Sequence, residues 1–154
     1  MILFYANSIS IADKKFTFEK SDSMHIAKVI RKKTGTLVTV TNGRGLEWSG
    51  KLTSVTPQKA EATKIKSIQH EIPEKAIHLA IAPTKNNSRM EWLVEKLTEL
   101  GITSITPLLC EHSERKVIKT KRLIKIAIAS LKQSQQFYLP QIQPLTSFQK
   151  HLKS

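Results

Sequence analysis

A strand, a helix and a second strand follow one another between Ala76 and Leu109. Ala76-Ile-His-Leu-Ala-Ile-Ala82 reads as a buried strand ended by Pro83. Ser88-Arg-Met-Glu91 has the form of a capping box, in which serine and glutamate satisfy each other's free backbone N–H groups. Behind it Met90, Leu93, Val94, Leu97 and Leu100 mark one helical face, and Gly101 stands where a C-cap belongs. Ile102–Leu109 then alternates as a strand. A helical crossover of this kind joins parallel strands with a right-handed turn. A longer helix is expected from Thr120 to Gln136, apolar at Ile124, Ala127, Ile128 and Leu131, with Lys121, Arg122, Lys125 and Lys132 on its polar side. Residues 73–154 therefore read as α/β.

The preceding 72 residues follow a different rule. Ile2–Tyr5 and Lys15–Phe18 are short strand-like runs. Thr36-Leu-Val-Thr-Val-Thr41 alternates, and Asn42-Gly43-Arg44-Gly45 supplies the positive φ angles of a tight turn before the return strand Leu46–Val55. Ala60–Ile68 alternates again. One helix interrupts this pattern at Asp22–Lys33, with Ser21 or Asp22 as cap, Ile26, Val29 and Ile30 at helical spacing and Gly35 as stop. Several short strands and one helix predict a small closed or half-closed β-barrel. The boundary falls near Ile72-Pro73, and the chain as a whole is α+β.

Charge narrows the function classes. The net charge is +13, from 25 Lys and Arg against 12 Asp and Glu. Nothing after Glu114 is acidic, and residues 115–154 hold nine Lys and Arg. Such an excess favours polyanions through phosphate neutralisation and counterion release. A solvated basic surface explains the same numbers. Nucleic acid ranks ahead of an anionic membrane, because no long basic amphipathic helix with an aromatic face is present. The longest apolar run, Met1–Ala6, is far below the roughly 18–20 residues of a membrane span, and no charged leader precedes it. Cys110 is the single cysteine, which leaves no internal disulfide and no cysteine cluster for zinc. A cytoplasmic chain is the expectation.

Candidate chemistry is sparse. The loop Pro83-Thr-Lys-Asn-Asn-Ser88 lies where a dinucleotide fold places its glycine-rich turn, but it has no glycine. Lys85 beside a helix start fits a phosphate contact or a solvated side chain. Cys110-Glu111-His112-Ser113-Glu114 is a poor triad, since neighbours on a strand point to opposite faces. No two histidines stand at i,i+4, so no metal site is expected. Glu91, Glu95 and Glu99 form a stripe that faces water or pairs with distant cations. Trp48 and Trp92 read as packing residues ahead of base-stacking platforms.

A wider set of residues carries a resemblance. His25-Ile-Ala-Lys-Val-Ile-Arg31, Gly35 and Asn42-Gly-Arg-Gly45 belong to it in the first region. In the second, it takes in Lys85-Asn86, Met90-Glu91, Glu95-Lys96, Glu99-Leu-Gly-Ile102, Pro107, His112-Ser-Glu-Arg115, Lys121-Arg122, Gln133-Ser134 and Leu139-Pro140. In that order along the whole chain, these residues resemble the bacterial 16S ribosomal RNA uridine-N3 methyltransferase family of the knotted SPOUT class. Two positions depart from the family pattern, Ile2-Leu3 and Gln135-Gln136, where arginine is usual.

The resemblance implies a PUA-like RNA-binding barrel over 1–72 and the N-terminal portion of a SPOUT methyltransferase domain over 73–154. It implies S-adenosylmethionine as methyl donor, 16S rRNA in the small ribosomal subunit as partner, and a homodimer. By carry-over His25, Arg31, Lys32, Lys85, Arg115, Lys121 and Arg122 are the candidate RNA contacts. The family's cofactor pocket is a trefoil knot with glycine-rich loops, and no glycine follows Gly101 here. The expectation is that residues 1–154 bind RNA, lack the knot and do not turn over by themselves. No catalytic side chain is singled out. A non-catalytic RNA-binding module or ribosome-associated factor is the alternative.

Overall fold

The computed structural model describes residues 1–154. Its contacts separate Met1–Ile72 from Pro73–Ser154. In the first unit five strands form one sheet, ordered β1-β3-β4-β5-β2. They are β1 (Leu3–Tyr5), β2 (Lys15–Thr17), β3 (Leu37–Thr41), β4 (Leu46–Val55) and β5 (Ala60–Gln69). β1 runs parallel to β3, and the other pairs are antiparallel. β1 and β2 remain edges, so ladder hydrogen bonds do not close the sheet into a full barrel.

The alternation read in these strands has a direct packing consequence. Leu46, Trp48 and Leu52 of β4 join Val38, Val40, Ala60 and Ala62 in the core, together with Phe4, Ile9, Phe18 and Ile26. Trp48 is fully buried, and its indole N–H donates to the Asp13 carbonyl at 2.8 Å. That bond removes the cost of burying an indole donor. Register slips between Ser49 and Gly50, where β4 meets β5, and Gly50 lies against the Trp48 ring.

Two local expectations change. The turn at Asn42–Gly45 has positive φ at Gly43 and Gly45 but not at Asn42. Side chains shape it instead: Thr41 Oγ1 accepts from the Gly43 N–H at 3.1 Å and Asn42 Oδ1 from the Arg44 N–H at 2.8 Å. The helix expected at Asp22–Lys33 starts earlier, as α1 (Lys20–Met24), and continues as a π-helical turn over His25–Val29. Neither Ser21 nor Asp22 caps it. Glu19 occupies the cap position without a side-chain bond. The Ser23 hydroxyl is drawn inward, donating to Phe18 O at 3.2 Å and accepting from Ala60 N at 2.9 Å. The helix stops at Arg31 (φ 49) rather than at Gly35.

In the second unit β6 (His78–Ile81) and β7 (Ser104–Leu109) pair in parallel, with α2 (Asn87–Glu99) between them in sequence. β6 is the sheet's edge and is half-buried, not buried as its apolar run suggested. Two short strands missed in the sequence, β8 (Gln141–Ile142) and β9 (Thr146–Ser147), also lie parallel on β7. α3 (Thr120–Ser134) precedes them and α4 (Phe148–Leu152) follows.

The end of α2 is a Schellman turn. Gly101 (φ 77) donates to Thr98 O at 3.0 Å and Ile102 to Leu97 O at 3.1 Å. Its start differs from expectation: Asn86 is the cap, its Oδ1 accepting from the Ser88 N–H at 2.8 Å. Ser88 falls inside the first turn, which frees Glu91 for another partner. Leu100 lies beyond the helix and is exposed, while Met90, Val94 and Thr98 are the buried positions. α3 is rotated from its expected face, burying Leu123, Ala127, Ser130 and Leu131 and leaving Ile124 half-buried. Ser130 donates to Glu95 O at 2.9 Å and Gln136 to Glu99 O at 3.3 Å, which ties α3 to α2.

Gly50→Ala is expected to destabilise the protein by about 1–3 kcal/mol in chemical denaturation. The added Cβ would sit 2.5 Å from the Trp48 ring and 2.9 Å from Thr63 O. A neutral result would mean that the Trp48 ring yields.

A candidate nucleic-acid interface

Parallel pairing puts the carboxyl ends of β6 and β7 on one side of the sheet, with the loops that leave them. α/β sheets hold ligands at such edges. Here the loop after β6 carries Lys85, and the chain between β7 and α3 carries Arg115. Arg115 Nη2 donates to the Lys85 carbonyl at 2.8 Å, and Nη1 donates to Oδ1 of Asn87. Arg122, in the first turn of α3, donates through Nε to the Glu91 carboxylate on α2. Those contacts draw residues some thirty positions apart around one groove of about 530 Å³. Lys85, Arg115, Lys119 and Arg122 face it alongside Glu91 and Glu114. The Glu91 carboxylate, hydrogen-bonded to the guanidinium, raises the Arg122 pKa further above its ordinary value.

A second groove, about 660 Å³, opens along the start of α3 between Lys119, Lys121, Arg122 and Lys125. In the other unit Lys28, Arg31, Lys32 and Lys33 line a surface depression of about 730 Å³ at the end of the π-helical turn. Arg31 reaches its left-handed conformation there as the Lys32 N–H bonds to Ile26 O at 2.9 Å.

Of the candidates from sequence, Lys85, Arg115 and Arg122 thus share one groove, and Lys121 lines the next. Arg31 and Lys32 lie together in the first unit. His25 is exposed at the start of the π-helical turn and does not line that depression. Sequence reasoning did not nominate Lys28, Lys33, Lys119, Lys125 or Asn87. Lys125 stands four residues after Lys121, a same-face spacing that was visible. Asn87 had no signal, because its role is to hold Arg115.

The other candidates resolve plainly. Ser113 uses its hydroxyl to accept from the Cys110 backbone N–H at 2.8 Å, a turn contact. Glu95 and Glu99 both bind Lys96, at 3.2 Å, and raise its pKa. Trp92, read as a packing residue, is 60% exposed. It lies on the side of α2 away from Met90 and Val94.

The model of the RNA methyltransferase domain matches residues 70–154, and that of the RNA methyltransferase PUA domain matches 18–65. The chain belongs to the RNA methyltransferase domain family. Among members, the ribosomal RNA small subunit methyltransferase E of Buchnera aphidicola is 27% identical over 143 residues, covering 87% of this chain and 56% of the relative. The crystal structure of a probable rRNA-methyltransferase from Porphyromonas gingivalis is 32% identical with a TM-score of 0.89, covering 99% of this chain and 63% of that one. A Neisseria gonorrhoeae ribosomal RNA small subunit methyltransferase E, crystallised bound to S-adenosyl methionine, shares the fold at 23% identity and a TM-score of 0.84, over 99% and 64% of the two chains. The chain spans about half the length of the curated relatives it matches, from 45% to 61%. No helix is long and apolar enough to cross a membrane.

Asn86→Ala is expected to cost about 1 kcal/mol of stability and Ser88→Ala far less, because only Asn86 caps α2. Thermal melts of the two variants check this; equal losses would return the cap to Ser88.

Proposed function

We propose that this chain is the RNA-holding part of an S-adenosylmethionine-dependent methyltransferase that modifies N3 of a specific uridine in 16S ribosomal RNA of the small subunit. The observation that carries the reading is the convergence of Lys85, Arg115 and Arg122 on one groove, in a domain of the RNA methyltransferase family. Positive side chains so gathered suit phosphodiesters. Residues 1–72 serve as the PUA-like RNA-binding domain and 73–154 as the N-terminal portion of the methyltransferase domain. Arg31, Lys32, Lys85, Arg115, Lys121 and Arg122 contact the RNA, joined by His25, exposed at the start of the π-helical turn. The whole protein acts as a homodimer in the cytoplasm.

Methylation at N3 needs loss of the N3 proton and in-line alignment with the donor, so holding the RNA still is a large part of the catalysis. The cofactor itself does not fit the grooves described. Its methyl donor is a positively charged sulfonium; the charged residues of the second groove are all cationic, and in the first the Glu91 carboxylate is taken by Arg122. No step is assigned to it among these residues. The relative from Neisseria gonorrhoeae, crystallised with S-adenosyl methionine, supports the choice of donor.

A methyl group on N3 blocks Watson–Crick pairing and arrests reverse transcriptase. In cells that lack the gene for this chain, one arrest at a uridine in 16S rRNA is expected to disappear, and to return when the gene is restored. An unchanged arrest pattern would overturn the uridine-N3 reading. RNA binding without any change in methylation would favour a non-catalytic module.

A further inference from the structure

The first two turns of α3 are charged against their own helix. Lys119 occupies the cap position without a side-chain hydrogen bond, Lys121 and Arg122 follow, and no acidic residue stands in the first turn. Cations at the positive end of a helix dipole weaken it. Glu91 compensates Arg122. Lys119, Lys121 and Lys125 are exposed, and none makes an ion pair. They surround the open groove of about 660 Å³ with Arg122, Ile118 and Thr120, and no carboxylate lines it. By contrast the neighbouring groove contains Glu91 and Glu114. Lys121 and Lys125 are one turn apart, about 6 Å along the axis.

We infer that this surface is a clamp for the phosphodiester backbone of RNA, in which Lys119, Lys121 and Lys125 neutralise neighbouring phosphates. The inference rests on the RNA-binding reading above and deepens it. The groove has no aromatic side chain on which a base could stack. Nor does it have an asparagine, glutamine or carboxylate, and its one guanidinium, Arg122, is held through Nε by Glu91. The three unpaired lysines give affinity through phosphate neutralisation, which carries no sequence preference. A membrane surface fits less well, because the one large apolar side chain at the groove, Ile118, packs against the core instead of pointing out to enter a bilayer. The clamp therefore sets how firmly the RNA is held, and other contacts select the site. The unfavourable charge at the helix start is relieved when phosphates arrive.

The test is the salt dependence of binding between the full chain and a 16S rRNA fragment. Lys119→Gln with Lys125→Gln is expected to flatten the plot of log affinity against log salt by about 0.7–0.9 for each phosphate left without its lysine. The same double variant is expected to melt no lower than the parent, which separates weakened binding from unfolding. Lys96→Gln, equal in charge change to either single replacement, is expected to keep the parental slope. If the parent binds RNA and the double variant keeps its slope, the clamp is wrong and the RNA reading stands. If the parent fails to bind at any salt, the RNA reading itself falls. Capture by anionic vesicles that depends on Lys119 and Lys125, with RNA binding unaffected, would also overturn the clamp.

Discussion

The parallel ladder between His78–Ile81 and Ser104–Pro107 is the constraint on which the second unit depends. Parallel strands cannot be joined by a tight turn, so the chain must cross over through α2. That crossover returns both strands to the same direction and leaves their exit loops side by side. Lys85 leaves one strand and Arg115 follows the other. Arg115 then closes the loops on each other by binding the Lys85 carbonyl and Asn87. A groove at this edge is a consequence of topology, and its charge is a consequence of which residues occupy the loops.

Acidic side chains are placed where they organise cations instead of cancelling the whole surface. Glu91 takes Arg122, and Glu95 and Glu99 share Lys96. Lys119 and Lys121 at the start of α3 are left without such partners, although a helix N-terminus favours acidic residues. Departures from local rules of this kind concentrate at functional or strained sites. In the first unit the departure is one of backbone, where Arg31 adopts a left-handed conformation beside Lys28, Lys32 and Lys33.

Much of the fold was legible because its elements are long or punctuated. β4 buries every second residue from Leu46 to Leu52, β5 opens on buried Ala60 and Ala62, and the helix before Gly101 has an apolar face with a glycine stop. Errors arose where two residues could do one job. Asn86 and Ser88 are both good caps, and the chain uses the earlier one. β8 and β9, with two residues each, are too short for a period to show. The π-helical turn carries no compositional mark, and Trp92 is exposed because Met90 and Val94 already set the buried face of α2. For the site, net charge indicated a polyanion but not the residues. Lys85, Arg115, Lys121 and Arg122 came from family resemblance, since their meeting depends on contacts across thirty positions. Lys125 shares a helical face with Lys121 in the sequence, whereas Lys119 needed the groove itself to be recognised.

The most direct measurement is crosslinking of the chain to 16S rRNA by ultraviolet light, with the attached peptides identified by mass spectrometry. The account predicts adducts in residues 28–33, at Lys85 and in residues 115–125. Adducts confined to the acid-bearing face of α2 around Glu95 and Glu99, or none at all, would contradict it.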